Sequence, residues 1–134
     1  MSNIKDYYQI ITLPKITDSR GNLSFIEGNE HVPFEIKRVY YSYNIPTHVN
    51  RGGHSHLEQH ELLIAVHGSL DVMLDNKSDK VTLTLNSPNK GLHIKPGLWH
   101  ELLNFSKDCV LLALSSSKYD GGDYISDYSE FINY

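Results

Sequence analysis

A chain of 134 residues, 40% hydrophobic and 21% charged, has room for one ordinary globular domain with a real core, and not for two. The net charge of −4, with lysines and arginines scattered along the chain, argues against a nucleic-acid partner, although a few local arginines suffice for a small anion. Cys109 is the only cysteine, which excludes an intrachain disulfide framework and a cysteine-based metal site. No apolar run approaches membrane-spanning length or a secretory leader, so the cytoplasm is the expected location.

Gly, Pro, Asn and Asp recur at short intervals, and almost nothing has a helical period. Residues 9–16 and 22–27 read as short strands around the turn Asp18-Ser-Arg-Gly21. Residues 35–43 form a longer strand rich in Val, Ile and Tyr, with Tyr41 and Tyr43 on one face and Tyr40 on the other. A loop through Pro46 leads to Arg51 and a histidine pair. Residues 61–67 and 70–75 flank Gly68-Ser69; the polar turn Asn76-Lys-Ser-Asp79 precedes 81–85, which alternates cleanly. Strands over 92–95, 99–105 and 109–115 follow, and 119–134 reads as irregular or weakly helical. About ten short strands with regular turn signals predict an all-β, single-domain jelly-roll barrel over residues 1–134. Cys109, in an apolar run, is expected to be a buried, inert thiol.

Two clusters carry the chemistry. The first, His54-x-His56-x4-Glu61-x6-Gly68, places two imidazoles on the same face of a strand, because side chains alternate with period two. The second, Pro96-Gly97-x2-His100-x3-Asn104, follows some thirty residues later on what should be a neighbouring strand. Together they resemble the two motifs of the cupin barrel, which would bring His54, His56, Glu61 and His100 together in its interior. Three imidazoles and a carboxylate suit a divalent metal. A neutral imidazole, with an ordinary pKa near ~6.5, can equally remove and return protons at neutral pH. The spacing leaves both uses open. Arg51, beside the pair, is placed to meet a phosphate. Tyr41 and Tyr43 can offer hydroxyls to a substrate, and His93 is a candidate pocket residue by its nearness to the second cluster. His31, His48, His60 and His67 read as structural or solvated, and Trp99 should face away from His100.

Several segments go beyond a generic cupin: Asp18-Ser-Arg-Gly-Asn-Leu23, Pro33-Phe-Glu-Ile-Lys-Arg-Val-Tyr-Tyr41, Arg51-Gly-Gly-His-Ser-His56, Gly91-Leu-His-Ile-Lys-Pro96, Trp99-His-Glu101, and the tail Tyr119-Asp-Gly-Gly-Asp-Tyr-Ile125. In these the chain resembles the WxcM-like, FdtA-type sugar 3,4-ketoisomerases. The resemblance implies a cofactor-free, metal-free isomerisation of a dTDP-linked 4-keto-6-deoxyhexose through an enediol(ate). It further implies His54 and His56 as acid and base in an order left open, Tyr41 and His100 on the substrate oxygens, and Arg51 on the diphosphate. Arg20, Tyr43, Glu61 and His93 are further substrate-contact candidates. It also implies a homodimer, and a PLP-dependent aminotransferase as pathway neighbour in the biosynthesis of 3-amino-3,6-dideoxy sugars for surface glycans such as O-antigen. Two positions depart from the family pattern. Leu57 stands where lysine is usual, and Glu61, where glutamine is usual, completes the generic cupin metal quartet. A metal-dependent cupin enzyme, a non-catalytic nucleotide-sugar-binding cupin and a 3,5-epimerase-like activity are the competing readings.

Overall fold

The computed structural model describes residues 3–134. Two five-stranded antiparallel sheets close face to face into a jelly-roll barrel. One sheet has the order β1 (Tyr8–Thr12), β9 (Lys90–Ile94), β6 (Glu61–His67), β11 (Val110–Ser115) and β4 (Arg38–Ser42). The other has the order β12 (Tyr124–Ile125), β5 (Arg51–His56), β10 (Trp99–Leu103), β7 (Leu70–Asp75) and β8 (Lys80–Leu85). The strands β2 (Lys15–Asp18) and β3 (Gly21–Ser24) form a separate hairpin. The all-β expectation is met, with two refinements. The strand expected over 9–16 is interrupted at Leu13-Pro14, because proline supplies no N–H for a ladder; its two halves join different sheets. The tail is also more ordered than its composition suggests, with β12 and the helix α1 (Tyr128–Asn133), whose first N–H groups are capped by Asp127.

Alternation sorts the apolar residues into two cores. Leu63, Ala65, Val72, Leu74, Leu92, Ile94, Leu111 and Ala113 fill the barrel interior. Their strand neighbours Leu62, Ile64 and Leu114 pack outside the first sheet against Leu13, Val32 and Phe34. Cys109 is fully buried in the interior core, and burial raises its thiol pKa. Between β6 and β7, Gly68 has φ +73°, and an added Cβ would lie 2.4 Å from Ser106 Oγ, so both backbone and space require glycine there.

One irregularity aims the site. Along β10, His100 pairs with His54, but Glu101 pairs with Gly52 and Leu102 with Arg51. One extra residue is therefore accommodated in β5, where Gly52 and Gly53 have φ of +76° and +78°. This β-bulge reverses the alternation across the two glycines, so that Arg51 and His54, three residues apart, both line the interior.

The tail returns over the second sheet. Phe131 and Ile125 bury against Trp99, and Tyr128 donates to Asp75 at 2.5 Å. This anchor presents residues 119–124 to the barrel. Phe131→Ala should cost about 3 kcal/mol, the size typical of deleting a buried aromatic ring, read as a lower urea midpoint; an unchanged midpoint would show that the helix does not hold the tail.

Candidate active site

His54 and His56 lie two residues apart on β5, His100 faces them from β10, and Glu61 enters from the opposite sheet. One ligand-type atom from each of the four falls within 4.8 Å of the others. The rings of His54 and His100 meet edge to face at 4.6 Å between centroids, and those of His56 and His100 stack at 5.7 Å. Tyr40, Ser42, Arg51, Gly52, Leu63, Leu102 and Leu111 complete a cavity of about 80 Å3 beside His54, Glu61 and His100.

Glu61 ties the cluster together. Its Oε2 accepts from the Tyr40 hydroxyl at 2.7 Å. Its Oε1 accepts from Gln59 Nε2 at 2.8 Å and lies 2.5 Å from His56 Nε2. Burial alone would raise the carboxyl pKa. The hydrogen bond from His56, the charges of His100 and His56 and the bond from Tyr40 outweigh it, and hold Glu61 down at about 2. The adjacent Tyr40 phenol is pushed far up, first by burial and then by the Glu61 charge, so it remains a donor. Gln59 is fixed in turn, its Oε1 accepting from Ser117 Oγ at 3.1 Å.

The histidines differ in their surroundings. Burial, then the neighbouring His100 and His56, lowers His54 to about 3, so at neutral pH it is an uncharged imidazole at the cavity wall. His100 is also shifted down by burial. Its Nδ1 lies 3.3 Å from the Leu98 carbonyl, which can only accept, and this turns Nε2 toward the cluster. His56 is engaged on both sides, with Glu61 at Nε2 and Asp123 Oδ2 at 3.3 Å from Nδ1.

Other expected residues are placed elsewhere. Tyr41 lies outside the barrel, 62% exposed, stacked at 5.9 Å on Tyr43, which is 61% exposed. On β4 the inward residues are Tyr40 and Ser42, so Tyr40 occupies the place expected of Tyr41. His93 is likewise not a pocket residue. It pairs with Leu62, whose side faces away from Glu61, and its ring packs on Phe34 and bonds His60 at 3.0 Å between ring nitrogens. Burial lowers its pKa to about 4. Arg20, 88% exposed at the β2–β3 hairpin tip, pairs with Asp18 at 2.6 Å and does not line the cavity. Trp99 faces away from His100, as its parity requires. The sequence reading passed over Tyr40, Gln59, Asp123 and Tyr124. Gln59 was detectable by parity, since it shares that of Glu61, whereas Tyr40 has the parity opposite to Tyr41 and Tyr43. Tyr124, whose ring meets those of His54 and His56 at 5.0 and 4.4 Å, and Asp123 come from a distant tail.

The chain matches the family model described as WxcM-like, C-terminal (FdtA) over residues 6–134. It is 43% identical, over 94% of its length and 91% of the relative's, to a TDP-4-oxo-6-deoxy-alpha-D-glucose-3,4-oxoisomerase of Aneurinibacillus thermoaerophilus. Among solved structures, it is similar to a histidine-to-asparagine variant of the 3,4-ketoisomerase QdtA from Thermoanaerobacterium thermosaccharolyticum, in complex with TDP-4-keto-6-deoxyglucose (TM-score 0.93, 38% identity, 95% and 92% of the two chains covered). It is also similar to the TDP-quinovose 3,4-ketoisomerase WlaRB of Campylobacter jejuni (TM-score 0.91, 40% identity, 95% and 98% covered).

The protonation pattern predicts acid lability. A histidine held at about 3 in the fold and 6.5 when unfolded takes up protons on unfolding between those limits. Its contribution to stability is present above 6.5 and lost as the pH falls toward 3. Glu61, lowered from 4.5 to about 2, adds a loss below 4.5. Melting temperature should therefore fall steadily from pH 7 to pH 4, and less steeply in His54→Gln; equal slopes would show that His54 titrates normally in the fold.

Proposed function

The chain belongs to the WxcM-like (FdtA) family of sugar 3,4-ketoisomerases, and from that premise we propose that it isomerises a TDP-linked 4-keto-6-deoxyglucose to the 3-keto sugar, with His54 as the base. The observation that carries this assignment is the contrast between the two histidines of β5. His54 is uncharged and borders the cavity, whereas both ring nitrogens of His56 face carboxylates.

The C4 ketone acidifies the hydrogen on C3. His54 takes that proton, and the electron pair left on C3 forms the C3=C4 enediol(ate), with negative charge developing on O4. The O4 oxygen gains a proton, O3 gives one up, and proton return to C4 leaves the ketone at C3. C3 is oxidised and C4 reduced within one molecule, so no external redox partner is needed. The Tyr40 hydroxyl, whose proton Glu61 accepts, and His100 Nε2, left unprotonated by the Nδ1–H bond to Leu98, each present a lone pair to which a substrate hydroxyl such as O3–H can donate. Glu61, bonded also to Gln59 and His56, holds Tyr40 in place. A cavity of about 80 Å3 accommodates the reacting part of a sugar, leaving the diphosphate outside, where Arg51 meets it bidentately.

The exposed apolar side chains suggest the assembly. Val39 and Tyr41 on the edge strand β4, with Ile16 and Leu23 on the β2–β3 hairpin, leave a hairpin that would be marginal by itself; a second copy of the chain covers this surface in our reading, giving a homodimer. No helix among the described residues is long and apolar enough to cross a membrane, and a single buried thiol fits a cytoplasmic enzyme. The 3-keto product presents the carbonyl that a PLP-dependent aminotransferase uses, which places the reaction in the supply of 3-amino-3,6-dideoxy sugars for surface glycans.

A metal-dependent reading is favoured by one observation, the four convergent donors within 4.8 Å. The donor set fits a divalent ion held by His54, His56, Glu61 and His100, which would polarise the ketone as a Lewis acid. Such binding would have to compete with the bonds that Glu61 accepts from Tyr40 and Gln59. EDTA-treated protein should convert the 4-keto substrate, followed by proton NMR, at an undiminished rate; loss of turnover restored by Fe2+, Mn2+ or Zn2+ would establish the metal. His54→Asn should lower kcat at least ~100-fold, the low end of what a general base contributes, and Arg51→Ala should act mainly on KM. Binding without turnover by the wild type would leave a nucleotide-sugar-binding module.

A further inference from the structure

His56 Nδ1 is buried and, together with Arg38 Nε, is a buried side-chain polar atom without an aligned hydrogen-bond partner among the described residues. The group closest to remedying this is Asp123. Its Oδ2 lies 3.3 Å from Nδ1 with imperfect alignment, and a small rotation of either side chain completes the bond. Such bonds are commonly long before substrate arrives. Asp123 does not reach His56 by accident. It closes the short 3-10 turn Gly121–Asp123, itself capped by Asp120. Its Oδ1 accepts from the Glu58 N–H at 2.8 Å and its Oδ2 from the Gln59 N–H at 3.2 Å. The Leu57 N–H donates to its carbonyl at 2.9 Å. The next residue, Tyr124, pairs with His56 in the strand ladder and lays its ring on the imidazole. One carboxylate thus binds the loop that carries Gln59 and faces the outer nitrogen of the adjacent ring.

We propose that Asp123 is the positioning residue for His56: it holds the Nδ1–H, so that Nε2 stays on Glu61 and the ring keeps its place beside His54. The proposal rests on the isomerase reading, and it brings the C-terminal tail into the catalytic machinery. Asp123 does not line the cavity. It acts through His56 and, by way of Glu61, on the hydroxyl of Tyr40. This gives the tail a chemical task in addition to covering Trp99. Carboxylates that orient a functional imidazole through its second nitrogen set its tautomer and direction, and their loss typically lowers function about 10- to 100-fold.

The test uses the full-length, EDTA-treated protein labelled with 15N-histidine. In the substrate-free wild type, the Nδ1–H of His56, assigned by its loss in His56→Gln, should give a downfield proton signal protected from solvent exchange. Asp123→Asn should remove or strongly shift that signal. It should also lower kcat about 10- to 100-fold, while KM changes less than about threefold and the melting temperature by a few degrees at most. Asp123→Glu should recover part of kcat. A wild-type spectrum without the Nδ1–H signal would overturn the proposal even if every variant misfolded. So would an Asp123→Asn protein that keeps signal and kcat, which would make Asp123 a fastener of loop and tail only. Wild-type protein that shows the signal but converts no substrate would instead count against the isomerase reading while leaving the Asp123–His56 contact standing.

Discussion

A buried carboxylate that must stay ionised governs this interior. Taking such a charge out of water costs several kcal/mol unless partners compensate, and Glu61 meets that cost with hydrogen bonds from Tyr40, Gln59 and His56. Each partner is thereby committed to one orientation. Tyr40 must donate, the Gln59 amide must turn its nitrogen inward, and His56 must keep its Nε2 proton. His54, one ladder step away and without a carboxylate of its own, is left as an uncharged base at the cavity wall. Two imidazoles on the same strand face acquire different surroundings because only His56 has a carboxylate at salt-bridge distance from each ring nitrogen.

The fold serves this arrangement at two points where regular alternation would fail. The bulge at Gly52-Gly53 turns Arg51 and His54 to the same side, so a guanidinium and an uncharged imidazole line one cavity. The tail, fastened by Phe131 and Ile125 on Trp99, brings Asp123 and Tyr124 against His56. Neither feature is regular ladder, yet each decides what surrounds the histidines.

Much of this was legible in the sequence. Strand alternation, two spaced motifs and the family-like segments led to an all-β barrel with His54, His56, Glu61 and His100 at its centre, and the cluster distances agree with that grouping. Two placements differ, for different reasons. Tyr41, implied by the family resemblance, points outward, because the edge strand β4 turns its neighbour Tyr40 to the interior instead. His93 lies near the second motif, but its pairing with Leu62 turns it into the outer core. Asp123 lies in the family-like tail segment, but no pattern brings that tail to His56, because sixty-five residues separate Asp123 from the Glu58 N–H it binds. A loop acid earns a role only once the tail is docked.

The central claim, that His54 removes the C3 proton, is tested most directly by following exchange of the C3 hydrogen of TDP-4-keto-6-deoxyglucose in D2O by NMR. The comparison is between wild type, His54→Asn and His56→Asn, all treated with EDTA. Wild type should wash out the C3 hydrogen and deliver deuterium to C4, His54→Asn should do neither, and His56→Asn should retain slow exchange at C3. Exchange that persists in His54→Asn and vanishes in His56→Asn would contradict the account and make His56 the base.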